Sequence, residues 1–112
     1  MIESYRFGSI TVDGKTYHSD LIIYPDHVRD SWWRREGHLL QLSDLGEVLD
    51  YGPEALVVGQ GKPGRLQVSE QTAAEIRRRG IELFVAPTAT AVEKYNELSR
   101  AKKVVAALHL TC

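Results

Sequence analysis

The chain has little of what commits a small protein to a special chemistry or surroundings. Its one cysteine is Cys112, so no internal disulfide can form, which fits a reducing compartment. Neither sign of charge dominates. Fourteen Lys and Arg stand against 15 Asp and Glu, for a formal net charge of −1, and the pI is about 6.4. No global basic field is present to hold nucleic acid. The basic clusters Arg34-Arg35, Arg77-Arg78-Arg79 and Lys102-Lys103 read as solvated ends and faces of elements. No apolar stretch approaches the ~20 residues that cross a bilayer. The opening Met1-Ile2-Glu3-Ser4-Tyr5-Arg6 has neither the apolar segment of a secretory signal nor the acid-poor, Arg-rich character of a transit peptide. A cytoplasmic protein with no membrane partner is expected. No repeat, low-complexity segment or linker is visible, so residues 1–112 read as a single domain. That length buries roughly 65% of the unfolded chain's surface, enough for one core.

What is present is an ordinary globular composition, 43% apolar and 26% charged. Phe7 to Val12 alternates, Asp13-Gly14 supplies a tight turn, and Lys15 to Tyr24 carries β-branched and aromatic residues. Together they predict an N-terminal β-hairpin. His27 to Trp33 is a candidate third strand anchored by Val28 and Trp32. Ser43 is a capping candidate for a short helix ending near Tyr51-Gly52-Pro53. Ala55 to Gly59 is a continuous apolar run, the mark of a strand covered on both faces. A helix from Ser69 to about Arg79 follows, packing through Ala73, Ala74, Ile76 and Ile81 and closed by Gly80. Ile81 to Ala86 reads as a second buried strand. Thr90 and Glu93 fit a capping box opening a helix to about Ala101. Val104 to Leu110 is the last strand. The fold class is α/β: three layers, a mixed central sheet, a β-α-β-α-β C-terminal half and an N-terminal β-hairpin.

Gly59-Gln60-Gly61-Lys62-Pro63-Gly64 matches G-x-G-x-x-G behind an apolar run, the pattern of a dinucleotide fingerprint. The surroundings contradict it. Pro63 lies inside the motif, and Arg65-Leu66-Gln67-Val68 separate it from the helix at Ser69. Glu82 falls at the start of the next strand instead of its carboxyl end. A weaker expectation survives. If the three strands are parallel, their carboxyl ends share one rim where Gly59, Gln60, Gly61, Lys62, Arg65, Thr88, Thr90 and Cys112 gather. Free amides there, with Lys62 or Arg65, can hold a small anion. The competing reading is a tight turn and an ordinary helix cap.

Other chemistry is thin. His18, His27, His38 and His109 show no metal spacing, and His109-x-x-Cys112 places its ends on opposite faces of a strand. Cys112 reads as passive, because an adjacent terminal carboxylate disfavours the thiolate. No nucleophile–base pair can be assigned, so no catalytic residue, metal or cofactor is expected. Trp32-Trp33-Arg34-Arg35 is the densest aromatic and basic stretch. In alternation one tryptophan faces in and the other out. The outward ring and its arginines form either a protein-contact anchor or an internal cation–π pair.

Several segments carry a family likeness in this order: Phe7-Gly8-Ser9-Ile10, Asp20-Leu21-Ile22-Ile23, Trp33-Arg34-Arg35-Glu36-Gly37-His38, Val57-Val58-Gly59-Gln60-Gly61, Pro87-Thr88 with Ala91 and Tyr95-Asn96, and Val105 to Cys112. The chain resembles, over nearly its full length, the small-domain family that includes the mitochondrial complex I assembly factor 3 proteins and the adipogenesis-associated domain proteins. The resemblance implies a three-layer α/β fold and no assigned catalytic residue. It also implies an uncharacterised, prokaryotic-type cytoplasmic member, because a mitochondrial role does not transfer without a transit peptide. The leading expectation is a non-catalytic protein-binding or assembly module working through Trp32, Trp33, Arg34 and Arg35. The alternative is a small-molecule protein or enzyme taking an anionic ligand at the Gly59–Gly61 and Thr88–Thr90 rim. A homodimer across an exposed strand or the tryptophan surface stays open.

Overall fold

In the computed structural model, which describes residues 1–112, three short strands come first: β1 (Ile2–Arg6), β2 (Ser9–Val12) and β3 (Lys15–Tyr17). They form an antiparallel three-stranded sheet in the order β1-β2-β3. The β2–β3 turn sits on Asp13 and Gly14 at φ 48° and 84°, the positive values a two-residue hairpin turn needs. The chain continues through β4 (Leu21–Ile23), β5 (Val28–Arg29), β6 (Leu39–Leu40), a 3-10 turn at Leu42–Leu45 and α1 (Gly46–Tyr51). The second half runs β7 (Ala55–Gln60), β8 (Gln67–Val68), α2 (Glu70–Arg78), β9 (Glu82–Ala86), α3 (Thr88–Leu98) and β10 (Val104–His109). The central sheet has the order β5-β4-β10-β7-β9. β10 and β9 both run parallel to β7, whereas β4 is antiparallel to β10.

The continuous apolar runs belong to the central strands because both faces of the sheet are covered. Ile23, Val57, Ala106 and Leu108 point to one side, into a core shared with Ala91 and Tyr95 of α3 and with Ile2, Ile10 and Val12 of the small sheet. Their neighbours Ile22, Val58, Val105 and Ala107 point to the other side, against Val48 of α1, Ile76 of α2, Trp32 and Leu66. The period-2 alternation thus builds two separate cores and the three layers. Each fully buried Val, Leu or Ile contributes about 1.5–3 kcal/mol of transfer energy.

Several local expectations are corrected. The run Lys15 to Tyr24 is split between two sheets. Asp20 breaks it: its Oδ1 accepts from the Leu110 amide at 2.8 Å and its carbonyl accepts from Trp32 at 2.9 Å. The candidate strand His27 to Trp33 shrinks to Val28–Arg29, and Ser31 turns the chain away at φ 53°. Ser43 caps nothing; the turn before α1 is closed by Gln41 and Asp44, whose Oδ2 accepts from the Gln41 amide at 2.9 Å. In α2 the inward residues are Thr72 and Ile76, while Ala74 is exposed. Ser69 does cap α2, accepting from the Thr72 amide at 3.2 Å. β9 lies at the sheet edge and is only half-buried along most of its length. α3 starts at Thr88, not Thr90, because Pro87 already holds the extended conformation that precedes a helix. Thr90 is exposed in the first turn and caps nothing.

Candidate functional site

The parallel β7, β9 and β10 bring their carboxyl ends to one rim, and Thr88 ties it together. Its buried hydroxyl accepts from the Gly61 amide at 2.8 Å and donates to the His109 carbonyl at 2.6 Å. The Lys62 amide donates to the Thr111 carbonyl at 2.8 Å, and the Thr88 amide to the Gly61 carbonyl at 3.2 Å. The expectation of free loop amides is therefore corrected: those of Gly61 and Lys62 are used inside the molecule. The glycines serve close approach. A Cβ on Gly59 would lie 2.8 Å from Leu108 Cδ2 and Thr88 Oγ1, and one on Gly61 would lie 2.1 Å from the Thr111 carbonyl oxygen. Gln60 holds the loop through Nε2 donating to the Leu66 carbonyl at 2.9 Å. Arg65, Thr90 and Cys112 are exposed. Gly61 and Lys62 line a cleft of about 340 Å³ with Tyr5, Arg6, Phe7, Pro87 and Ala89.

The two tryptophans part company. Trp32 is 7% exposed, and its indole donates to the Asp44 carbonyl at 3.1 Å. Trp33 is 78% exposed. It stands between two clefts, one of about 330 Å³ lined with Trp32, Asp44 and Glu47, the other of about 360 Å³ lined with Asp20, Arg34 and His109. Arg35 is exposed beside it. Arg34 is not a surface contact: its guanidinium stacks 4.8 Å from the Trp32 ring centre, and its side chain is 5% exposed.

Arg34 belongs instead to a buried cluster that the residue types alone did not reveal. Asp20 Oδ2 accepts from Arg34 Nη2 at 2.9 Å and from His109 Nδ1 at 2.8 Å. Burial pushes the Asp20 carboxyl up. Hydrogen bonds from His109, the Leu110 amide and Arg34 outweigh that and hold it below its ordinary value. An ionised carboxylate only accepts, so His109 Nδ1 carries the proton. The 3.2 Å approach of Arg34 Nη2 to that nitrogen is then two donors converging on one oxygen. The exposed His38 ring lies edge-on to His109, 6.0 Å between centres. An Asp–His pair is the orienting half of a nucleophilic triad, but His109 Nε2 meets no hydroxyl or thiol. No group of three His, Cys, Asp or Glu side chains is arranged to hold a metal. Asp20 and His109 are 89 positions apart, and the antiparallel pairing of β4 with β10, Leu21 opposite Leu108, brings them together. The available signal was positional: His109 ends a buried strand level with the glycine turn.

The fold is shared with solved structures. The conserved hypothetical protein PH1505 from Pyrococcus horikoshii OT3 is 28% identical, with a TM-score of 0.84 over 100% of this chain and 99% of that one. XCC1710 from Xanthomonas campestris is 24% identical, with a TM-score of 0.80 over 98% of this chain and 83% of that one. An outer membrane protein from Bartonella henselae is 20% identical, with a TM-score of 0.78 over 99% of this chain and 94% of that one. The last two likenesses concern the fold alone. No helix of the present chain is long and apolar enough to cross a membrane. Residues 2–109 match the model of a family described as a protein of unknown function (DUF498/DUF598), and the chain belongs to that family.

Proposed function

We propose that the protein is a non-catalytic binding module that docks onto a protein partner through Trp33. One observation carries this reading. Trp33 is 78% exposed between two clefts, a ridge that a complementary surface can grip from both sides. Tryptophan and arginine are enriched among the few residues that dominate interface binding energy, and Arg35 stands exposed next to the ring. A partner offering an apolar socket rimmed by acidic groups fits both. Phe7, 56% exposed, is a second outward ring, on the separate cleft at Gly61 and Lys62. The resemblance to the complex I assembly factor 3 proteins supports an assembly role, here in the cytoplasm.

The test is a substitution at Trp33 alone. Trp32 is buried, and its removal opens a cavity costing about 3–5 kcal/mol, which would confuse lost binding with lost folding. Trp33→Ala should abolish capture of the partner while changing stability by no more than about 0.5 kcal/mol. A Trp33→Ala protein that captures the same partner as the wild type refutes the reading.

A further inference from the structure

We propose that the cleft over Asp20, Arg34 and His109 binds a small oxyanion, a carboxylate or a tetrahedral phosphate-like group, held between Arg34 Nη1 and His109 Nε2. This does not rest on the protein-contact reading. Arg34 Nη1 and His109 Nε2 are the two enclosed side-chain polar atoms that make no hydrogen bond within the protein. Their side chains are only 5% and 9% exposed. Enclosed polar atoms are nearly always paired, and one without a partner is costly, the more so on a charged group. Both belong to a single cluster and both residues line a single cleft of about 360 Å³.

The donor pattern selects the ligand. A guanidinium only donates, so Nη1 asks for an acceptor. His109 Nδ1 already donates to Asp20. Nε2 is thus either a lone pair or, once protonated, a second donor. An anionic oxygen satisfies both atoms when Nε2 also carries a proton. The charged and titratable groups facing His109 are Asp20 and Arg34 in contact, His38 edge-on, and His18 on the cleft wall. Arg34, protonated His109 and Asp20 leave one net positive charge for the anion. Trp33 is the only hydrophobic residue lining the cleft, so recognition there is polar. The volume suits a ligand of a few heavy atoms, at the lower end of small-molecule sites. Both atoms are closed to solvent. Binding therefore requires a side chain lining the cleft to shift.

The experiment titrates the wild-type protein with succinate and, separately, sulfate at a pH of about 7.5, above the ordinary histidine value of about 6.5. Calorimetry in two buffers of different ionisation heat counts protons, and nitrogen NMR follows the His109 ring. Binding with a dissociation constant on the order of 1 mM or tighter, with proton uptake and His109 Nε2 moving to its imidazolium position, is the expected result. The stronger of the two arms identifies the ligand as carboxylate or tetrahedral. Arg34→Lys, which keeps the charge but loses the fork, should weaken binding by about tenfold or more. If that variant does not fold, the wild-type resonances decide alone. His109 signals unmoved by either anion at about 20 mM, 20 times that dissociation constant, overturn the proposal, and an internal water then satisfies the two atoms. Trp33→Ala leaves Arg34 and His109 in place, so failure here and failure of the docking reading are separate results.

Discussion

Gly61 carries more of the architecture than its size suggests. It sits at φ 83°, and a Cβ there would meet the Thr111 carbonyl oxygen at 2.1 Å. Gly14 has nearly the same angle, φ 84°, with nothing within 4 Å. Gly14→Ala should therefore cost only the left-handed backbone, about 1–2 kcal/mol. Gly61→Ala should cost clearly more than that, because the β7 and β10 ends must separate. Urea titration of the two variants checks the difference, and equal losses would show that the close approach is not what selects Gly61. Thr88→Val should cost about 2–4 kcal/mol by leaving the Gly61 amide and the His109 carbonyl unpaired, while Thr88→Ser should recover most of the loss. The glycine motif was legible in the sequence, but its meaning was not. The pattern G-x-G-x-x-G cannot tell a loop whose amides await a phosphate from one whose amides meet a threonine and a carbonyl across the rim. The cluster Asp20, Arg34 and His109 was illegible for the same reason, since its partners meet only through tertiary pairing.

At the scale of elements, β1 shows how a short strand is held. Its outer side is met by a side chain of α3: Asn96 accepts from the Ile2 amide at 2.9 Å and donates to the Ile2 carbonyl at 2.8 Å. The carboxamide stands in for a neighbouring strand, and Ile2 is 2% exposed. Asn96→Leu should cost about 2 kcal/mol, and hydrogen exchange at the Ile2 amide should accelerate selectively. Unchanged exchange would mean that β2 alone holds the strand. The central strands β7 and β10 and helix α2 followed directly from apolar runs and from Ser69 and Gly80, whose signals are local. The small elements β1, β6 and β8 did not. Gln67–Val68 pairs with Leu39–Leu40, and neither segment has a period of its own. That pairing and buried Leu66 occupy the residues that delay α2 behind the glycine loop.

For the molecule as a whole, Asp20 links the small sheet's exit, the Trp33 loop and the end of β10. Its folded value lies below the ordinary one. Its contribution is thus fully present above the unfolded carboxylate value of about 3.9 and is lost as pH falls through the lower folded value. Urea midpoints of wild type and Asp20→Asn should differ at neutral pH and converge only in acid below about 4. A gap that persists unchanged there would mean that the ionised carboxylate is not what holds the cluster. The whole is a three-layer body presenting one exposed indole, Trp33, beside the end of β10. The most direct test is partner capture from the protein's own cells with tagged wild type, Trp33→Phe and Trp33→Ala, each checked for an unchanged unfolding midpoint. A partner retained by wild type, weakened in Trp33→Phe and lost in Trp33→Ala is the predicted result. Equal capture by wild type and a fully folded Trp33→Ala protein would contradict it.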